Sequence, residues 1–427
     1  MIRPAFRSAP AAFSFCQPDV ILTGKRVALR GHGLLVDEKG SIRAILPEAD
    51  CPQGAVPFVF AGETWVAAPI LAHAHLESLD APSLPWPRKP FSAWLAALLA
   101  WRSSSANETA HSDGLHDSKQ SHLGVPKRLL QAGCARFATH IHWAPDEVEA
   151  WPWSHWQDLC VLPEFFAPTH KAPSLSSIEQ LHARAERACL AGVSGFALHA
   201  PYSVSLPWAE SLSTFCKQKG LLLSVHFGEH QEELDCLEGR ENGLSQLFRE
   251  RGLRACMGSS RSPLEWLHSC NAMRPGVLAA HTAALSASDL IRLEKAGVAR
   301  VWCPGAHDYF ERDTPDHFVQ DGLPLPALGC DSMASNTRLD PLYEARMARQ
   351  ILPQPGPEAW WDALTLTGAK ALGYAARYGS LLPGFQAEVL RIPCECGTTS
   401  AEICDALTAR ADLPVAFGRM TAHGLLT

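Results

Sequence analysis

The first chemistry to read in this chain is His73-Ala-His75, at the end of an apolar run that begins at Pro69. Residues two apart in an extended strand face the same side, so two imidazoles spaced this way can close on one metal ion. A lone His-x-His is more often an ordinary polar strand end. Here, however, other apolar runs also finish in groups able to bind metal or move protons: His199, His226, His281 and Asp331. Together with His73 and His75, His226 and Asp331 make three imidazoles and a carboxylate. That set suits Zn²⁺ or Fe²⁺ and leaves coordination open for water, so one divalent metal ion is the expected cofactor. Glu229 stands three residues beyond His226, where a carboxylate can take a proton from water and hand it to substrate. His281 reads as an orienting, electrostatic residue rather than a full ligand, and Asp331 as aiding proton transfer while it ligates. Glu232 and Glu233 read as the solvated start of the next segment.

Residues so far apart in sequence need a scaffold that gathers strand ends. Eight apolar runs supply candidate strands: Pro69–His73, Phe137–Ile141, Leu159–Phe165, Gly195–His199, Leu221–His226, Gly276–His281, Ala299–Cys303 and Ala327–Asp331. Helical patterns separate them over Phe91–Arg102, Val125–Ala132, Ser177–Ala191, Pro207–Lys219, Gly243–Arg251, Ser286–Ala296 and Leu342–Gln350. Strands alternating with helices predict βα units, and eight of them predict an α/β fold of the (β/α)₈ TIM-barrel type, whose strand C-termini share one mouth. Residues 19–66 read instead as short strands broken by turns, and strand-like runs return at Ala387–Ile392 and Leu413–Phe417. The expectation is a barrel over 67–378, with residues 1–66 and 379–427 pairing into a small β-sandwich beside it. The polar stretch Ser103–Leu123 reads as a loop or lid, and residues 393–412 do not resemble sandwich strands.

The chain has 427 residues, enough for a barrel of ~250 and one small domain. A net charge of -7 gives no basic footprint for nucleic acid. No apolar run is long enough to span a bilayer, and Met1–Ser14 lacks the apolar core of a secretory signal. The 14 cysteines are scattered without a CxxC pair, which fits reduced thiols in a cytoplasmic protein. The expected partner is a small-molecule substrate, with no nucleic acid and no membrane. Barrels of this kind often form homodimers.

Several segments carry a resemblance when taken in order: Leu71-Ala-His73-Ala-His75, His199-Ala-Pro-Tyr202, Ser224-Val-His226-Phe-Gly-Glu229, His281, Trp302-Cys-Pro304 and Gly329-Cys-Asp331-Ser-Met-Ala-Ser335-Asn336. Over residues 20–392 the chain resembles the deaminase and chlorohydrolase branch of the amidohydrolase superfamily, and Gly379–Glu388 resembles that branch's closing turn. The resemblance implies His73, His75, His226 and Asp331 as metal ligands, Glu229 as proton shuttle, His281 as the residue positioning the water, and His199 as a substrate contact. Binuclear members carry a carboxylated lysine on the fourth strand. His199 is the strand-end residue here, which implies one metal. Two positions depart from the pattern: Ala387-Glu388 stands where Ala-Asp is common, and Cys330, expected to serve packing, stands where Thr is frequent.

Cys303-Pro-Gly-Ala-His307-Asp-Tyr309-Phe310 and Pro87-Arg-Lys-Pro90-Phe91-Ser-Ala-Trp94 resemble the aminodeoxyfutalosine deaminases of the futalosine route to menaquinone. The resemblance thus implies hydrolytic deamination of an aminopurine nucleoside. Glu164 reads as a contact to ribose or the purine edge, Arg102 as a partner for a substrate carboxylate, and Ser335 and Asn336 as pocket residues. The rival readings are a deaminase of methylthioadenosine, adenosine, guanine or cytosine, a chlorohydrolase, and a catalytically inactive metal-binding barrel.

Overall fold

A computed structural model describes residues 13–76, 87–111, 133–134, 136–142, 159–167, 173–188, 194–253, 262–320, 322–393, 396–411 and 413–426. The predicted helix Val125–Ala132 and residues 112–123 of the polar stretch lie outside them. Five strands come first: β1 (Phe13–Leu22), β2 (Ala28–Arg30), β3 (His32–Asp37), β4 (Ile42–Pro47) and β5 (Val56–Ala67). The chain then enters β6 (Ile70–Leu71) and β7 (Ala74–His75), either side of His73. Seven strands complete the barrel: β8 (Arg136–His142), β9 (Leu159–Phe165), β10 (Gly195–Leu198), β11 (Leu222–Phe227), β12 (Val277–His281), β13 (Ala299–Trp302) and β14 (Ala327–Leu328). After β15 (Asp331–Ser332), the strands β16 (Glu388–Ile392), β17 (Ala416–Thr421) and β18 (Gly424–Leu426) return to the first sheet.

The barrel strands pair in parallel in the order β14-β13-β12-β11-β10-β9-β8-β6. The ring closes where the Ala72 N–H donates to Leu328 O at 2.8 Å and the Cys330 N–H donates to His73 O at 2.9 Å. Parallel strands are covered on both faces, and β10 and β12 are accordingly buried along their whole length. Small and medium apolar side chains such as Ala72, Ala138, Leu162, Ala197 and Leu278 fill the inside of the ring. The larger cluster, including Phe196, Phe215, Trp266 and Trp302, packs the strands against helices.

The terminal strands form one sheet in the order β18-β17-β16-β5-β1-β3-β4, with β2 paired to β1. Within it β1 and β5 are parallel, and β5 meets β16 antiparallel. Between β16 and β17 the chain forms a helix, Ser400–Ala409, with a Thr399–Glu402 capping box. This explains why residues 393–412 carry no strand pattern. The expectation of a loop from Ser103 onward is corrected in part, because the first barrel helix, α1, runs over Phe91–His111. Its polar end carries no apolar stripe, so the periodicity gave no sign of the continuation. Among the described residues, no helix is long and apolar enough to cross a membrane, and the described cysteines are free thiols.

Candidate metal centre

The barrel brings the predicted ligands to one buried point at the C-terminal mouth. His73, His226, His281 and Asp331 offer donor atoms within 4.8 Å of one another, and so do His73, His75, His140 and His226. His75 Nε2 and His226 Nε2 face each other at 2.9 Å, and Asp331 Oδ1 lies 3.5 Å from His73 Nε2 and 3.7 Å from His75 Nε2. His226 Nδ1 donates to His199 O at 2.7 Å, which fixes the tautomer and turns the Nε2 lone pair inward.

The residues fit a metal ion. Neither ring nitrogen of His73 has a hydrogen-bond partner, though the side chain is fully buried, and the same holds for His281 at 1% exposure. Buried polar groups are normally paired, so unpaired imidazoles converging with a carboxylate mark a site built for a cation. Burial lowers His73 to about 4 and His281 to about 3, so both are neutral with a lone pair to give at neutral pH. Burial alone would raise the Asp331 carboxyl, but the close approach of the His73 ring at 3.5 Å and the nearby His281 and His75 outweigh it and hold Asp331 ionised.

The backbone is strained where these groups sit. His281, Thr282 and Asp331 have φ of 75°, 60° and 57°, three of the six positive-φ non-glycine residues described. Such values cost energy in residues with a Cβ and cluster at functional sites. Two glycines make room. A Cβ on Gly329 would come 2.8 Å from His73 Cβ, and one on Gly228 (φ 62°) would meet Leu285 Cγ at 2.4 Å.

Glu229, next to Gly228, reaches the same mouth. Burial opposes its charge, yet His281, His230 and Arg312 keep its carboxyl well below the usual range. Its Oε1 accepts from Arg312 Nη2 at 2.7 Å and lies 3.7 Å from His281 Nε2. Glu233 corrects the expectation of a solvated acid: it is fully buried and accepts the N–H groups of Gly228 and Glu229, each at 2.9 Å. Burial raises it to about 8. Glu232 is likewise engaged, accepting from Ser92 N and Oγ at the start of α1. The Glu229–Glu233 spacing of four was the available signal, because a carboxylate one turn on can reach back to a turn's amides.

The remaining predicted residues fall in different places. Ser335 Oγ donates to Asp331 Oδ2 at 2.6 Å, so it braces that carboxylate. Asn336 gives its amide hydrogens to Cys330 O and to Glu344 Oε1, both at 2.7 Å, and accepts from Thr337 and Arg338, so it ties down the loop rather than facing a pocket. Glu164 is buried, 3.0 Å from His140 Nδ1 and 3.4 Å from His226 Nδ1, so its carboxylate is engaged by these two imidazoles. His199 sits at the end of β10 with Nδ1 against Ser203 Oγ at 2.6 Å. Arg102 lies on α1, and its side chain is outside the described residues. Cys330 is fully buried within the core, as expected for packing. Sequence reasoning passed over His140, which follows Thr139 inside the run Phe137–Ile141, and Arg312.

The amidohydrolase family pattern matches residues 68–392. The aminodeoxyfutalosine deaminase of Deinococcus radiodurans is 27% identical over 42% of this chain and 45% of its own length. The 5-methylthioadenosine/S-adenosylhomocysteine deaminase of Pyrococcus abyssi is 28% identical over 45% of this chain and 42% of its own. The chain thus matches less than half the length of either relative. The crystal structure of Helicobacter pylori aminofutalosine deaminase with methylthio-coformycin shares the fold, with a TM-score of 0.78 over 97% of this chain and all of that one, at 18% identity. A match over three quarters of the sequence, together with the closed barrel and its His/Asp cage, places this chain in the amidohydrolase family.

Proposed function

We propose that the protein is a metal-dependent hydrolase that deaminates an aminopurine nucleoside, with 6-amino-6-deoxyfutalosine as its substrate in the futalosine route to menaquinone. One observation carries the reading: His73, His75, His226 and Asp331 converge in a buried cage, with His281 among the converging donors and Glu229 3.7 Å from it. We assign one divalent cation, zinc or iron, to those four ligands. When bound, it supplies Lewis-acid polarisation and lowers the pKa of a water at the site. Glu229, kept ionised beside the Arg312 guanidinium, accepts a proton from the water that attacks C6. The same carboxyl delivers that proton to the amino nitrogen as the C6–N bond breaks, releasing ammonia, and the remaining hydroxyl proton passes to N1, leaving a carbonyl at C6. His281, neutral and without another partner, orients the water. Ser335 holds Asp331 in line, and Glu233 fixes the turn that presents Glu229. His199, beside His226 at the mouth, contacts the purine.

The likeness to an aminodeoxyfutalosine deaminase supports this substrate, and the equal likeness to a methylthioadenosine/S-adenosylhomocysteine deaminase supports a second reading in which methylthioadenosine is turned over. The test is ammonia release, coupled to the adenine-to-hypoxanthine absorbance change, from aminodeoxyfutalosine, adenosine, methylthioadenosine and guanine. Zinc- and iron-loaded protein would be assayed beside Glu229→Gln. Preference for aminodeoxyfutalosine, lost in the variant, is the expected result. Preference for methylthioadenosine would select the second reading. Chloride release from a chlorotriazine, or full metal content with no turnover at all, would replace the proposal with a chlorohydrolase or an inactive barrel.

A further inference from the structure

The turn after β11 carries Glu229 and His230 side by side, and Arg312 reaches both. Among the described residues, the contacts of the Glu229 carboxylate all fall on one oxygen. Its Oε1 lies 2.7 Å from Arg312 Nη2, 3.2 Å from His230 Nε2 and 3.7 Å from His281 Nε2. Oε2 is thereby left to take a proton.

A guanidinium only donates, so Arg312 Nη2 gives one hydrogen to Glu229 Oε1 and the other to His230 Nε2, also 2.7 Å away. His230 Nε2 therefore accepts, and the ring carries its proton on Nδ1. Burial keeps that ring neutral, at about 4, in line with a single ring proton. Oε1 and Nε2 are thus two acceptors 3.2 Å apart, and only the donor shared between them makes that approach favourable. The frame around the pair is stiff. Phe91 stacks on the His230 ring with centroids 3.7 Å apart, and Phe310 meets it edge-on at 5.1 Å while facing the Arg312 guanidinium at 4.7 Å. Arg312 Nε and Nη1 are sealed in protein with no acceptor among the described residues, so Nη2 is the atom through which this side chain works.

We propose that Arg312 is a positioning residue for the proton shuttle: through Nη2 it pins Glu229 by Oε1, leaves Oε2 free, and fixes His230 as the Nδ1–H tautomer. Without that donor, the proton of His230 moves to Nε2, which then donates to Oε1 and draws the carboxylate toward the ring. The proposal rests on the reading of the protein as a deaminase in which Glu229 moves the proton. It adds the residue that decides which carboxylate oxygen does so.

The experiment is a double-mutant cycle on zinc-loaded protein: wild type, R312M, E229Q and E229Q/R312M, with R312K beside them, assayed on the nucleoside the wild type deaminates. R312M should lower kcat by about 10–100-fold with zinc content and KM little changed, and R312K should recover part of the loss. In the E229Q background, R312M should change the rate by less than about twofold, because no shuttle is left to position. Losses that multiply, a kcat untouched by R312M, or a loss matched by released zinc overturns the proposal. A second readout needs no turnover. Nitrogen-15 spectra of the imidazoles, with His230 identified by its absence in H230Q, should place the ring proton on Nδ1 in wild type and on Nε2 in R312M. A wild-type ring protonated on Nε2, or one indifferent to R312M, overturns the proposal. If no nucleoside is deaminated, the proposed function fails by itself, and the spectra alone then uphold or overturn the arrangement.

Discussion

Two buried charged clusters occupy opposite ends of the barrel, and they treat their charges differently. At the N-terminal end, Glu388 Oε1 accepts from Arg136 Nη2 at 2.9 Å and from Arg419 Nε and Nη2 at 3.1 and 2.8 Å. Arg136 also lies over the Tyr378 ring, 3.6 Å from its centroid. This cluster joins the start of β8 to the terminal sheet, and its opposite charges pair across that joint. At the mouth, His73 and His281 are as deeply buried yet have no hydrogen-bond partners, and the backbone beneath His281 and Asp331 is strained. A cluster in which opposite charges pair ties the terminal sheet to the barrel, whereas one in which imidazole lone pairs converge without a donor fits a cation.

The sharpest way to break the comparison is to substitute within the mouth. His226→Ala should remove the stoichiometric metal, read by elemental analysis, and lower kcat/KM by about 10³-fold or more, with little loss of fold. Glu229→Gln should keep the metal and still lose on the order of 10²–10⁴ in rate. The opposite outcome belongs to the other end. Glu388→Ala leaves the buried Arg136 unanswered and should cost about 3–5 kcal/mol in denaturant unfolding, while turnover per folded molecule stays near wild type. Equal metal loss in both variants would erase the distinction.

A smaller effect is expected from the layer beneath the ligands. Glu164→Gln, which weakens the support of His226 and His140, should loosen metal binding by about 10–100-fold in a chelator competition. Unchanged affinity would make Glu164 a bystander. The smallest effect concerns pH. Glu344 is fully buried, accepts from Gly305 N and Asn336 Nδ2, and is raised by burial from 4.5 to about 8. A carboxyl that binds its proton more tightly when folded makes stability fall as pH rises through the window from about 4.5 to 8. Wild-type Tm should decline across that range, and Glu344→Gln should decline less steeply.

The local signals in the sequence were strong where the chemistry repeats with the architecture. All eight barrel strands coincide with apolar runs, because strands covered on both faces must be apolar along their length. His73, His75, His226, His281 and Asp331 were legible because each follows such a run. Glu233 was misread because two adjacent acids ordinarily face water. Only the return of the helix toward the Gly228–Glu229 turn buries the second one. Glu388 stood out merely as a departure from the usual Asp. Its reason became visible only when β8 and β17 placed two arginines on it.

The sequence by itself determined the order of strands and helices and the residues able to hold a metal, since both follow from local periodicity and side-chain chemistry. Tertiary structure decided the rest: that His140 and Glu164 stand against the histidine cluster, that Asn336 is consumed by the loop it braces, and that Arg312 reaches Glu229 across 83 positions of chain. Those relations depend on which strand ends the closed barrel sets side by side. No spacing in the sequence encodes them, because ring closure brings together residues whose separation along the chain is arbitrary.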